Sequence, residues 1–138
     1  MQLSTKSRYG LRALLDIALH ANEGPVLLRE IVERQRLSKS YLEQLILLLQ
    51  SGGFVRSIRG KKGGFVLAKS PSDIRLLDVI GVLERTLCLA ECVDNPDLCP
   101  RNRDCVTQRL WGRLTDMVRN ELASLTLQDL IYWQKGTA

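Results

Sequence analysis

The sequence predicts a mainly α-helical fold carrying one small β-hairpin. Three observations support that class. Apolar residues recur at helical spacing in several separate blocks. One block, Phe54 to Leu67, instead alternates on either side of a glycine-rich turn, as two paired strands do. All four cysteines fall within one turn-rich stretch, Leu87 to Thr107, directly ahead of the longest apolar helical stripe.

Taken in order, Leu11, Leu14, Leu15 and Ala18 share one helical face, and Gly24-Pro25 closes this first helix of roughly four turns with a C-terminal glycine and a breaker. An extended step, Pro25 to Leu27, leads to a second helix from about Leu28 to Gln35, with Leu28, Ile31 and Val32 on its apolar face. A four-residue turn, Arg36 to Lys39, precedes a third helix in which Leu42, Leu45, Ile46 and Leu49 face inward. Ser38 or Ser40 can cap it, and Ser40 with Glu43 fits a capping box. Two short helices joined this tightly outline a helix-turn-helix, and the hairpin directly after them is a wing. Ser70 to Asp73 turns the chain into a fourth helix striped by Leu76, Leu77, Ile80, Leu83 and Leu87; continued to Cys92, it would set Cys88 and Cys92 on one face.

Beyond Cys105, Leu110, Leu114, Met117, Val118, Leu122 and Leu125 form a stripe flanked by Trp111 that one helix cannot bury alone, so it should pack against a second copy of the chain. Thr126 caps a last short helix. The organisation expected is a winged helix-turn-helix over 1–75, a connecting helix and cysteine loop over 76–104, and a dimerisation helix with a short C-terminal helix over 105–138.

Charge points to a partner. The chain carries +5 overall, but residues 1–69 hold 12 Lys+Arg against 5 Asp+Glu, or +7, and the remainder 8 against 10, or −2. A basic helix-turn-helix and wing face a polyanion, and double-stranded DNA with a palindromic site suits a twofold dimer. Ser38, Lys39, Ser40, Tyr41, Glu43 and Gln44 begin the recognition helix. In the wing, Arg59, Lys61 and Lys62 supply charge while Gly60 and its neighbouring glycines let backbone enter a narrow groove. Lys6, Arg8 and Arg12 are candidates for backbone phosphates. A phosphate-binding enzyme loop is excluded, because no G-x-x-x-x-G-K-[ST] spacing is present and a strand follows the glycines. His20, the only histidine, reads as a helix C-terminal residue and not a ligand. No Ser/His/Asp or Cys/His constellation argues for an enzyme.

The cysteines are spaced Cys88-x3-Cys92-x6-Cys99-x5-Cys105, among Asp94, Asn95, Pro96, Asp97, Pro100, Asn102 and Asp104, residues that can bend the backbone until separated sulfurs converge. The chain starts MQLSTKSRYG without an apolar signal segment, so a cytoplasmic location is expected, where thiols stay reduced and clustered cysteines mean metal or redox chemistry more often than disulfides. Structural zinc brings paired short spacings, which only Cys88 and Cys92 approach; the wider gaps favour an iron-sulfur cluster, with cluster-free thiols as the other reading.

The segments LSTKSRYGLRALLDIAL, LSKSYLEQL, GFVRSIRGKKGGFVLAKSP, LLDVIGVLE and TLQDL resemble, in order and over nearly the whole chain, the Rrf-two family of bacterial transcription regulators. The resemblance implies a dimeric winged-helix repressor or activator with the Ser38 to Gln44 helix in the major groove and the Arg59 wing in the minor groove. Within the family the chain is most similar to the IscR-like branch, whose three loop cysteines match Cys92, Cys99 and Cys105 with one extra residue in the first gap. That implies a sensor of iron-sulfur status, redox or nitric oxide, holding a [2Fe-2S] or [4Fe-4S] cluster. The branch has a histidine three residues after its last cysteine where this chain has Gln108, and the nitric-oxide-sensing branch has an aspartate where this chain has Arg8. The fourth ligand is therefore open between Cys88 and Gln108, with Glu91, a partner-subunit group or a small thiol as further possibilities. A similarity to the CymR-like branch implies the alternative, a cluster-free regulator of cysteine metabolism answering to thiol oxidation or a protein partner.

Overall fold

The computed structural model describes residues 2–136. Helix α1, Thr5–Leu19, starts where the Ser4 hydroxyl accepts from the Ser7 amide at 3.3 Å, and closes at His20 before a 3-10 turn over Ala21–Glu23. Helices α2, Leu28–Gln35, and α3, Lys39–Ser51, follow as expected. The hairpin pairs β1, Val55–Ile58, with β2, Gly64–Leu67, antiparallel, setting Val55 opposite Leu67 and Ile58 opposite Gly64. Then come α4, Leu76–Leu83, a one-turn α5, Glu91–Asp94, the long α6, Val106–Ser124, and α7, Leu127–Lys135.

One buried cluster joins these elements: Leu14 and Ile17 of α1, Ile31 of α2, Leu42, Leu45 and Leu49 of α3, Val79 of α4 and Leu127 of α7 are all at 0% exposure. Fully burying each such side chain contributes about 2 kcal/mol. Helix α7 thus shares its core with the helices of residues 1–75. Its start is the expected Thr126 cap, completed as a capping box by Asp129, whose carboxylate accepts from the Thr126 amide at 2.8 Å. Backbone bonds from Leu76 N–H to the Leu125 carbonyl and from Leu127 N–H to the Ile74 carbonyl, both 2.9 Å, hold the two ends of the 77–124 excursion side by side.

Three local readings are corrected and a fourth is extended. The α3 cap is Ser38, which accepts from the Tyr41 amide at 3.2 Å; Ser40 lies inside the helix, so no box forms with Glu43. The preceding turn ends at Ser38, because Arg36 in the left-handed region (φ 54°) reverses the chain within fewer residues than expected. The extended step before α2 also pairs with the wing: Val26 and Phe65 exchange backbone hydrogen bonds at 2.9 and 2.8 Å, and a Cβ on Gly64 would lie 2.7 Å from the Val26 carbonyl oxygen. Finally, α4 ends at Leu83. Glu84 is extended (ψ 146°) and its carboxylate accepts from the Ser4 amide at 2.7 Å, so Cys88 and Cys92 share no helical face.

Asp16 ties α1 to α2. It is 2% exposed, accepts from Arg34 Nη2 at 2.7 Å and Nε at 3.0 Å, and from Gln35 Nε2 at 2.8 Å. Burial pushes its carboxyl up, but the hydrogen bonds of Arg34 and Gln35 and the Arg34 charge outweigh that and hold it below the usual carboxylate range. A depressed folded pKa contributes stability that is present above the unfolded value and lost as pH falls through the folded one. Asp16→Ala leaves the partly exposed Arg34 with the more distant Glu30, 3.8 Å away, and is expected to cost about 2 kcal/mol in urea unfolding at neutral pH. Asp16→Asn should flatten the acid limb of stability against pH below about 4, where the wild type loses the ionised carboxylate.

Candidate nucleic-acid interface and cysteine loop

Arg8, Ser38, Lys39, Ser40, Glu43, Gln44, Arg59, Gly60, Lys61 and Lys62 are all exposed, as a contact surface requires. Gly60 (φ 111°) occupies a conformation few other residues adopt, and a Cβ at Gly63 would overlap the Ile58 carbonyl, so the wing tip is held narrow by glycine. Tyr41 differs from its neighbours. It is half-buried, its hydroxyl hydrogen-bonds Thr5 Oγ1 at 2.8 Å, and its ring meets Tyr9 edge to face with centroids 6.3 Å apart. Arg12 stacks on Tyr9 at 5.1 Å and donates to the Gln35 side chain at 3.0 Å and carbonyl at 2.9 Å, so these donors already hold α1 against α2. Arg8 lies over the same ring at 5.6 Å. Lys6 borders a shallow groove shared with Tyr41, Gln44 and Leu47, the last 65% exposed. Thr5 and Leu47 were not singled out from sequence, since a threonine at a helix start and a leucine in an apolar run look ordinary. His20 Nδ1 donates to the Asp16 carbonyl at 2.9 Å, in the C-cap position expected of it.

The cysteine loop is built in short steps. After Glu84 the chain runs extended, makes α5, then 3-10 turns over Pro96–Leu98 and Asn102–Asp104, and enters α6 at Cys105. It is pinned to α6 at its near end: the Leu89 amide donates to the buried Thr115 hydroxyl at 3.1 Å, and Arg119 pairs with both Asp94 oxygens at 3.0 Å. Arg119, aided by the Thr86 hydroxyl at 2.9 Å, holds the Asp94 carboxyl below its ordinary range. Cys88 faces Thr86 Oγ1 at 3.1 Å, and Gln108 reaches the Cys92 carbonyl at 3.4 Å. The Thr107 hydroxyl, 3.2 Å from Cys105 Sγ, and the amides of Gln108 and Thr107 lower the Cys105 thiol.

All four cysteines are free and half-buried. In kind they suit thiophilic metal chemistry. In position they differ from the convergence expected of the loop: among the described residues no three His, Cys, Asp or Glu side chains stand close enough to hold a metal ion. The successive turns carry the backbone forward between cysteines, and Cys88 and Cys105 each sit against a threonine hydroxyl of their own neighbourhood.

Along α6 the apolar stripe is open. Val106, Leu110, Trp111 and Met117 are exposed, Met117 by 66%, and only Thr115 of this helix is buried. Beside it an apolar cavity of about 610 Å³ runs between Leu3, Leu11, Ile80, Leu87, Val118 and Leu122, with Cys88 at its wall. Among the described residues no helix is long and apolar enough to cross a membrane.

Comparison with known proteins follows the same outline. The chain is 41% identical over 131 residues to protein rrf2 of Nitratidesulfovibrio vulgaris Hildenborough, covering 95% of this chain and 87% of that one. In solved structures it resembles IscR of T. potens, with 40% identity, a TM-score of 0.78 and coverage of 95% and 86%. It resembles CymR, the global cysteine regulator of B. subtilis, equally well, with 40% identity, a TM-score of 0.79 and coverage of 96% and 98%. The family described as Rrf2, iron-dependent transcriptional regulator, matches residues 3–132. A basic winged helix-turn-helix, a cysteine loop and a long helix with an open apolar stripe in this order, matched across nearly the whole length, make the chain a member of the Rrf2 (Rrf-two) family of transcriptional regulators, which are DNA-binding proteins and not enzymes.

Proposed function

We propose that two copies of this chain pair through α6 and bind a palindromic site in double-stranded DNA with both α3 helices and both wings, and that Cys92, Cys99 and Cys105 hold an iron-sulfur cluster that tunes DNA affinity or site choice. The observation that carries this is the attachment of a loop of free, half-buried cysteines to the same helix that presents an uncovered apolar stripe. The likeness to IscR supports it. The reading is a cytoplasmic one, where thiols remain reduced.

In DNA recognition, Ser38, Lys39, Ser40, Glu43 and Gln44 enter the major groove from the first turns of α3, and Tyr41 orients that helix through Thr5. Arg59, Lys61 and Lys62 follow the minor groove, Gly60 allowing close approach, and Arg8 meets backbone phosphate. In the loop, gathering three thiols requires Cys92 and Cys99 to close on Cys105 at the start of α6. The fourth ligand is Cys88, favoured by thiolate chemistry, or Gln108, favoured by its place beside Cys92. When bound, the cluster supplies a group that oxygen, nitric oxide or iron shortage removes. Ordering the loop then fixes the angle between recognition helices, and a differential of about 1–3 kcal/mol between two states changes affinity several-fold to about a hundredfold.

A second reading rests on the equal likeness to CymR and on the dispersed thiols: a cluster-free regulator of cysteine metabolism responding to thiol oxidation or a partner protein. Anaerobic purification followed by visible absorption with iron and sulfide analysis separates the two. Coloured protein with sulfide upholds the cluster, and colourless, iron-free protein that binds DNA transfers the assignment to the second reading.

Three outcomes are expected. Cys92→Ala should keep the dimer but change affinity for duplexes selected from a random pool; identical binding by holo and variant protein across all selected duplexes counts against the cluster as a tuner. Met117→Glu, which puts a charge in the open stripe, should give a monomer in sedimentation velocity at concentrations where the wild type is a dimer. Lys61→Ala should weaken binding to a random-sequence duplex and reduce the slope of log affinity against log salt by about 1 for each phosphate that the side chain neutralises.

A further inference from the structure

The cysteine loop leaves α4 at Glu84, and that departure point is clamped to α1 twice. Glu84 Oε1 accepts from the Ser4 amide at 2.7 Å, satisfying an N–H at the α1 N-terminus, where the helix dipole favours a carboxylate. One residue earlier, Leu83 packs so closely on Gly10 that a Cβ there would stand 2.7 Å from a Leu83 methyl. Helix α1 in turn grips the first turn of α3 at two points, Thr5 to the Tyr41 hydroxyl at 2.8 Å and Tyr9 edge to face on the Tyr41 ring. Thr5 follows directly on Ser4, the residue Glu84 holds. The loop itself is fastened to α6 by Asp94 and Arg119 only ten residues beyond Glu84 in the chain.

We propose that Glu84 is a positioning residue for DNA recognition, linking the root of the cysteine loop through the Ser4–Thr5 end of α1 to Tyr41 and so to the first turn of the recognition helix of the same protomer. Movement of the loop against α6 changes the pull on Glu84. Because Ser4 and Thr5 are consecutive at the capped start of α1, that change reaches the Tyr41 hydroxyl. Tyr41 accordingly acts as a tether of α3, which explains why it is half-buried while Ser40 and Glu43 around it are exposed. The inference rests on the proposed DNA-reading role of α3 and requires no particular occupant of the loop.

The test is a four-member cycle on the full chain: wild type, Asp94→Ala, Glu84→Ala and the double variant, compared by hydrogen exchange at the amides of residues 38–44. Asp94→Ala frees the loop from Arg119 and is expected to change exchange at 38–44 by about twofold or more in the wild-type background and not at all in the Glu84→Ala background. Glu84→Gln, which keeps an oxygen to accept from Ser4, should restore the response, an outcome that loss of general stability does not produce. An equal effect in both backgrounds, or none at 38–44 in either, overturns the proposal. If Asp94→Ala fails to fold, Arg119→Ala cuts the same ion pair from the other side. Exchange is measured without DNA or iron, so absence of a cluster leaves this result standing. Failure of α3 to read DNA would show separately, as Gln44→Ala binding every selected duplex like the wild type.

Discussion

The buried Asp16 carboxylate is the constraint on which the DNA-binding half depends. With Arg34 and Gln35 of α2 around it, and Arg12 of α1 bonded to Gln35 in turn, it fixes how the first two helices cross. An ion placed out of water in this way is stabilising only while its partners stay complete, which makes the α1–α2 crossing intolerant of partial change. Helix α3 is then located by apolar packing beneath and by the Thr5–Tyr41–Tyr9 contacts at its first turn, so the exposed residues of that turn inherit their orientation from α1.

What sequence patterning revealed, it revealed through short-range physics. The α1 and α3 stripes, the two-stranded wing and the Thr126 cap all follow from spacing within a single element, and each is present. The misses are long-range. Nothing near Glu84 announces that its carboxylate will take the amide of Ser4, 80 positions earlier, and so end α4 one turn before its apolar stripe runs out. Val26 pairs with Phe65 for the same kind of reason, a sheet partner supplied from a distant segment. Choosing Ser38 over Ser40 as the cap depended on how sharply Arg36 turns the chain, which composition does not specify. For the cysteines, their clustering in one turn-rich segment was legible, whereas their spatial arrangement depends on three short helical turns, Glu91–Asp94, Pro96–Leu98 and Asn102–Asp104, whose geometry composition does not specify.

The two halves of the molecule use different physics. The winged core, completed by α4 and α7, is held by buried apolar surface and one internal ion network. Beyond α4, whose Val79 and Leu83 belong to that core, the segment 84–124 is held by polar contacts, half-exposed Asp94 with Arg119 and the Leu89 amide with the buried Thr115 hydroxyl, beside an uncovered apolar face. Contacts of that kind have free energies near the low end of the local-opening range, so a segment built from them can change state while the core remains folded.

The closure of the excursion by Leu76 with Leu125 and Leu127 with Ile74 has an evolutionary side. A loop whose two ends are pinned next to each other can be lengthened or shortened without displacing what lies outside it, at about 0.6 kcal/mol for each doubling of its length. Cysteine spacing is therefore free to drift by insertion and deletion between Glu84 and Cys105 while the winged core keeps its shape. One scaffold can in this way acquire new chemistry in its handle and retain its grip on DNA.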